Sequence, residues 1–327
     1  MHTLAKFVTA VSLLFAITMF PACAGEPAQA VWVTLGTGGG PVIRVKRSQP
    51  ANALVAGKSV YLFDEGNGVL RQMAAAGLNL HNVRAIFLSH QHIDHNADIG
   101  VVLVERWLFN MYKPVPVIGA PGTVSLVRDV LKAYRVTELA PITEGGPPKP
   151  PLASTVRAKD IPRDADTPVL VYRDGNIKVW AVTNTHYHFP PGSEDAKFSR
   201  SYSFRIETAH RTIVYTGDTG PSDHVARLAR GADLLVSEVI DIPRMIAKLK
   251  KAHYPAAVLA GKVRHMREDH LTPEAVGELA QAAGVKEVVL THLVPGDDTE
   301  TDFSDYTKGL SGHFKGPVHL ANDLDRF

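Results

Sequence analysis

"VRAIFLSHQHIDH", residues 83–95, joins an apolar run to a segment with three histidines and one aspartate in six positions, His90 to His95. A continuous apolar run of this length is the pattern of a strand buried on both faces. His90 and His92 stand at i and i+2, which in an extended chain point the same way. A turn opening after His92 carries Asp94 and His95 to a neighbouring position. Unpaired imidazoles and a carboxylate at a buried strand end would cost several kcal/mol without a compensating ion. The segment therefore predicts a metal site, with two ligand pairs facing two metals a few ångströms apart.

Further ligands lie at other strand ends. "GNIKVWAVTNTH" closes on His186, "TIVYTGDTG" carries Asp218 before a glycine turn, and "VKEVVLTH" closes on His292. A carboxylate placed like Asp218 can bridge two cations. "THYH" offers His188 beside His186; the strand-end His186 is preferred as ligand, and His188 is expected to contact substrate.

The chain has 327 residues, enough for one large domain or two small ones with a full core. Its hydrophobic fraction is 45% and its charged fraction 21%, ordinary for a soluble enzyme. Net charge is +2, and "KLKKAH" at 248–253 is the densest basic patch. A nucleic-acid partner normally leaves a stronger electrostatic footprint, so a small-molecule substrate and no nucleic acid are expected. The N-terminus has a weakly basic start at Lys6, an apolar run from Phe7 to Phe20, and Ala22-Cys23-Ala24 as a small-residue cleavage pattern. Residues 1–24 thus read as a signal peptide, too short to span a membrane comfortably. The expected location is periplasmic or secreted, with no transmembrane span after processing. Cys23 is the only cysteine, and "FPA" before it is a poor lipid-attachment signal. A mature chain without cysteine must hold zinc through His, Asp or Glu.

From residue 31 apolar runs alternate with helical patterns. "VWVTLGTGGGPVI" and "ALVAGKSVYLFDEG" read as two early strands, and "GVLRQMAAAGL" and "GVVLVERWLFNMY" as helices. "TVSLVRDVLKAY" reads as a helix capped by Thr123, and "SDHVARLARG" as one capped by Ser222. "TPEAVGELAQAAG" has Thr272 at its cap, Pro273 at the first position and Gly284 as its stop. The Pro-rich stretch around 139–168 reads as a solvated linker or as a flap over a site. The whole predicts two sheets with helices outside and one site along an edge.

"HQHIDH", "NTHYHFPP", "YTGDTG" and "VVLTH" resemble the successive motifs of the metallo-β-lactamase-fold hydrolases. The likeness runs from Val33 to His292. It implies a single α+β domain over 31–327, a four-layer αββα sandwich with a dinuclear site, usually zinc, with Mn2+ or Fe2+ as alternatives. By motif, His90, His92 and His186 would hold one metal, Asp94, His95 and His292 the other, and Asp218 would bridge. A metal-bridging hydroxide would then be the nucleophile, oriented by Asp94 and Asp218. β-Lactamases of this fold lack the bridging carboxylate. The chain is closer to the phosphodiesterase, arylsulfatase and tRNA 3′-processing endonuclease branch. There, a Glu after the GDT motif and a His before a later helix support proton transfer; here they are Glu238 and His270. The expected function is an exported hydrolase of a small phosphodiester, sulfate ester or lactone. Alternatives are a non-catalytic metal binder of this fold, a β-lactamase or an iron-dependent thiol dioxygenase. Tyr187, Phe189, Pro190, Pro191 and the 139–168 loop are expected as pocket wall.

Overall fold

Two mixed sheets carry the apolar runs; the computed structural model describes residues 29–140 and 147–327. The first sheet holds β1 (Val31–Gly36), β2 (Ala51–Ala56), β3 (Ser59–Glu65), β4 (Val83–Leu88), β5 (Val115–Gly119) and β6 (Val156–Asp160), in that order. The second holds β7 (Val169–Arg173), β8 (Lys178–Thr183), β9 (Tyr202–Glu207), β10 (Thr212–Tyr215), β11 (Leu234–Ile240), β12 (Val288–Val294) and β13 (Val318–Leu320), also in chain order. Pairing is antiparallel from β1 to β3 and parallel from β3 to β6. In the second sheet it is antiparallel from β7 to β10 and parallel onward.

Alternation along the strands makes the layers. Tyr61 and Phe63 face the core between the sheets, with Trp32, Phe87, Phe204 and Tyr215. Their neighbours Val60 and Leu62 face outward, under the helices Ile99–Leu108 and Thr123–Ala133. The helices Asp223–Ala229 and Pro273–Ala283 cover the far face of the second sheet. This is the expected αββα sandwich. Residues 322–327 close the open edge of β1: Trp32 and Phe327 exchange backbone hydrogen bonds of 2.9 Å each, which removes a pairing-prone edge.

Ser222 and Thr272 cap their helices as expected, and Gly284 ends its helix at φ 62°. Other details differ. "ALVAGKSVYLFDEG" is a hairpin, β2 and β3, because Gly57 takes φ 60° in a two-residue turn. Thr123 is not a cap: Gly122 holds that place, and Asp160 of β6 accepts from the backbone N–H of Val124 at 2.9 Å. The Pro-rich stretch leads into β6, an edge strand, so that part of 139–168 is sheet. The signal peptide expected at residues 1–24, with Cys23, lies outside the described residues. Among the described residues no helix is long and apolar enough to cross a membrane.

Candidate metal centre

Four strands deliver the site. β4 runs through Ser89 into His90, and the short helix Ile93–Asn96 starts after His92 and turns Asp94 and His95 inward. β8 leads to His186 and β10 to Asp218. Gly217, at φ 57°, lets that turn approach β4; a Cβ there would meet Ser89 Cβ at 2.8 Å.

His292 does not end its strand. β12 runs on to Val294, and the register against β11 jumps at His292, which bulges out with φ 47°. Asp64 repeats the device in β3: the register against β2 skips it, and its φ is 61°. A left-handed L-residue costs about 1–2 kcal/mol, and a bulge re-aims one side chain. Both bulges aim their side chains at the same place.

Two donor sets result. In the first, His92 Nδ1 lies 3.0 Å from His90 Nε2 and 3.2 Å from His186 Nε2. Asp218 Oδ2 is 3.9 Å from both Nε2 atoms. In the second, Asp218 Oδ1 is 3.3 Å from His95 Nε2 and 3.2 Å from His292 Nε2. Asp94 Oδ2 is 3.6 and 3.8 Å from the same two nitrogens. Donors about 2.1 Å from a tetrahedral cation lie about 3.4 Å from one another, so each set has the span of one ion, and Asp218 turns Oδ2 to the first set and Oδ1 to two histidines of the second. His95 Nε2, His292 Nε2 and Asp218 Oδ1 are buried without hydrogen-bond partners. Buried polar atoms are seldom left so, and a cation would satisfy all three.

The electrostatics agree. Burial pushes His90 and His186 well below the usual imidazole range, aided by neighbouring imidazoles, so both are neutral and ready to ligate. In the second set burial opposes charge, but the carboxylates win. Asp218, Asp64 and Asp94 raise His95 well above its ordinary value, and Asp218 and Asp94 bring His292 to about 10. Burial likewise works to raise Asp94, yet His95 and His292 hold it at about 2. Protons stand where a divalent cation would.

Three of the five ligand rings are anchored from behind, as metal-bound histidines are. His90 Nδ1 is 2.9 Å from Ser89 Oγ, His186 Nδ1 donates to Asp269 O at 2.9 Å, and His95 Nδ1 donates to Asp64 Oδ2 at 2.8 Å. Asp64 also accepts from Ser89 N at 2.7 Å and from Ser89 Oγ and Tyr215 Oη at 2.8 Å each. Asp64, Ser89 and the Asp269 carbonyl were not among the expected site residues. The one sequence signal was the "FDEG" turn, where a carboxylate follows an apolar strand.

His270 Nδ1 donates to Glu238 Oε2 at 2.7 Å, and Thr219 N–H donates to Glu238 Oε1 at 2.6 Å. Burial works against the His270 cation, but Glu238 and Asp218 outweigh it and raise its pKa. His270 lines the metal cavity. His188 joins neither donor set: half-exposed, it pairs with Asp269. The cavity, of about 510 Å3, is walled by Gly39, Val42, Met245, Leu249, Met266 and Val294. The expected wall residues Tyr187, Phe189 and Pro191, with Arg163 from the 139–168 loop, line a neighbouring cleft of about 1180 Å3, and the Tyr187 ring packs against the ligand rings of His186 and His92, with centroids 4.8 and 5.3 Å apart.

An αββα sandwich with two such donor sets at one edge defines the dinuclear metal-dependent hydrolases. The chain belongs to the β-lactamase superfamily: the family described as Beta-lactamase superfamily domain matches residues 60–293. Ribonuclease Z of Mycolicibacterium gilvum (strain PYR-GCK) is 30% identical over 303 residues, covering 90% of this chain and 94% of that protein. Among solved structures, the metallo-beta-lactamase fold protein YhfI from Bacillus subtilis matches with TM-score 0.61 and 19% identity, over 91% of this chain and 98% of that one. Human tRNase Z, short form, matches with TM-score 0.61 and 21% identity over the same shares.

The expectation that nucleic acid is excluded is thereby overturned, since the relative at 30% identity is by name a ribonuclease. The exclusion rested on a net charge of +2 averaged over the whole chain. Phosphate attraction is local, so a whole-chain average does not decide it.

Proposed function

We propose that this chain is an exported, dinuclear zinc phosphodiesterase. The observation that carries this reading is the pair of donor sets sharing Asp218, with three of their buried atoms left without partners. His90, His92 and His186 would hold one ion and Asp94, His95 and His292 the second, with Asp218 within reach of both. His, Asp and no thiolate suit zinc, with Mn2+ or Fe2+ as alternatives. Bound there, the pair supplies water activation and positive charge against a phosphate. Asp94 and Asp218 orient the attacking water. Glu238 fixes His270 through Nδ1, so that the other ring nitrogen serves the cavity and gives its proton to the leaving oxygen. The ribonuclease relative supports a phosphodiester as the bond cleaved. Phe7 to Phe20 and the Ala22-Cys23-Ala24 pattern support export.

The test is a substrate panel on zinc-loaded protein: bis(p-nitrophenyl) phosphate, an RNA with an unpaired 3′ extension, p-nitrophenyl sulfate, a lactone and nitrocefin, with Asp218→Ala as control. Phosphodiester turnover lost in the variant is expected. Two bound metals without phosphodiester turnover would sink the reading, and a nitrocefin rate above every ester rate would replace it. For export, the N-terminus of the protein recovered from cells is expected to start near residue 25; an intact Met1 would contradict it.

A further inference from the structure

The metal cavity has two unlike halves. One is the ligand cluster, with His92, Asp94, Asp218, His270 and His292. The other is apolar. The helices Ile242–Lys251 and Ala256–Glu268 lie against Ile240 and Val294, at the ends of β11 and β12, and bring Met245, Leu249 and Met266 into one apolar cluster. Met245, Leu249, Tyr254, Met266 and Val294 then line the cavity continuously with the ligands. Val42 and Ile93, 54% and 62% exposed, also line it.

The cations beside this throat are already engaged. Lys248 pairs with Asp297, and the Lys262 ammonium sits 5.1 Å from the centre of the Tyr254 ring. Arg44 donates to the carbonyls of Pro295 and Val42. Aliphatic side chains and thioethers, with the Tyr254 ring, face the cavity. Apolar surface left in water beside a charged reaction centre is unfavourable until a ligand covers it. Methionine walls adapt to ligand shape.

We propose that the throat seats the apolar alcohol part of the substrate, so that the substrates are phosphodiesters carrying an alkyl or aryl group on the side that does not leave. This rests on the phosphodiesterase reading and adds the substrate class. In the step, the water oxygen bonds to phosphorus as the bond from phosphorus to the leaving oxygen breaks. One water proton is released and His270 protonates the leaving oxygen. The apolar group stays on the phosphomonoester product, in the throat.

A chain-length series tests this on the zinc-loaded full chain: methyl, butyl and octyl p-nitrophenyl phosphate. The expected result is a kcat/KM that rises about two- to fourfold per methylene until the throat is filled. Leu249→Asn and, at the more exposed mouth, Tyr254→Ser should each flatten that slope, with zinc content measured on both to verify the fold. Calorimetry adds a readout without turnover: octyl phosphate should bind at least tenfold more tightly than methyl phosphate. Equal kcat/KM across the series, or equal binding of the two monoesters, overturns the throat and leaves the phosphodiesterase reading standing. Tight octyl phosphate binding with no turnover of any ester supports the throat and removes the phosphodiesterase reading.

Discussion

Asp64→Asn probes the metal centre from outside its ligands. The carboxylate is fully buried and accepts four hydrogen bonds: one on Oδ1 from Ser89 N, and three on Oδ2 from Ser89 Oγ, Tyr215 and His95. The amide has nearly the same shape but one acceptor. It keeps its oxygen at the Oδ2 position, because the NH2 group there would face three donors. The NH2 group then opposes Ser89 N–H, leaving a buried donor unpaired at about 1–3 kcal/mol. Two ligands feel this. His95 loses the negative charge behind its Nδ1–H. His90 is held by Ser89, whose backbone must shift. Losing a group of this kind typically costs 10–100-fold in metal affinity, or about 1.4–2.7 kcal/mol. The assay is competition with a chromogenic chelator, counting zinc per chain. The variant should retain one ion where the parent retains two, with the Asp94, His95 and His292 set emptied first. Tyr215→Phe serves as control, since it removes one bond to Asp64, costing about 1 kcal/mol of stability, without touching a ligand. If Asp64→Asn held both ions within twofold of the parent affinity, the carboxylate would not be positioning His95.

Other perturbations separate the parts of the site. Gly39→Ala would place a Cβ 2.5 Å from His292 Nδ1; it should abolish the second ion and spare the first, read as one zinc per chain. His270→Asn should lower kcat by about 10²–10⁴ on an alkyl leaving group and far less on p-nitrophenolate, which leaves unprotonated; equal losses on both would remove the proton-donor role. In metal-stripped protein, His292 is raised to about 10, against about 6.5 when unfolded. A raised value gives stability that is full below pH 6.5 or so and lost as pH rises toward 10. The stripped Tm should therefore fall between about pH 7 and 10, while zinc affinity at the second set rises over the same window because binding displaces that proton. A stripped Tm independent of pH in this range would contradict the charge pattern.

What was legible in the sequence was what repeats locally. The end of the run was readable because Ala85 to Leu88 is buried and apolar without a break, so the polar pair Ser89 and His90 marks where the strand stops. Ser222, Thr272 and Gly284 were readable for the same reason: a cap is a contact between near neighbours. Asp160 capping a helix from another strand was not, since the partners are 36 residues apart. β6 and β13 were unreadable as strands because their burial alternates with exposure at a sheet edge or they are very short.

The deeper gap concerns the two bulges. A reading with strict two-residue alternation can place His292 at a strand end, but it cannot foresee that β12 continues beyond it or that one residue drops out of register. It fails at Asp64 for the same reason. In regular alternation Asp64, next to Phe63, would face the outer helices rather than Tyr215 and His95. The left-handed turn at each position costs free energy that no local contact returns. It persists because Asp64 gathers four donors and because His292 completes a donor set with the span of one cation. The strain at Asp64 and His292 is thus coupled to metal occupancy, and both bulges should be more protected from amide exchange in zinc-loaded than in stripped protein. Equal protection in the two forms would mean that the sandwich alone holds the bulges, and that the metal enters a site already made.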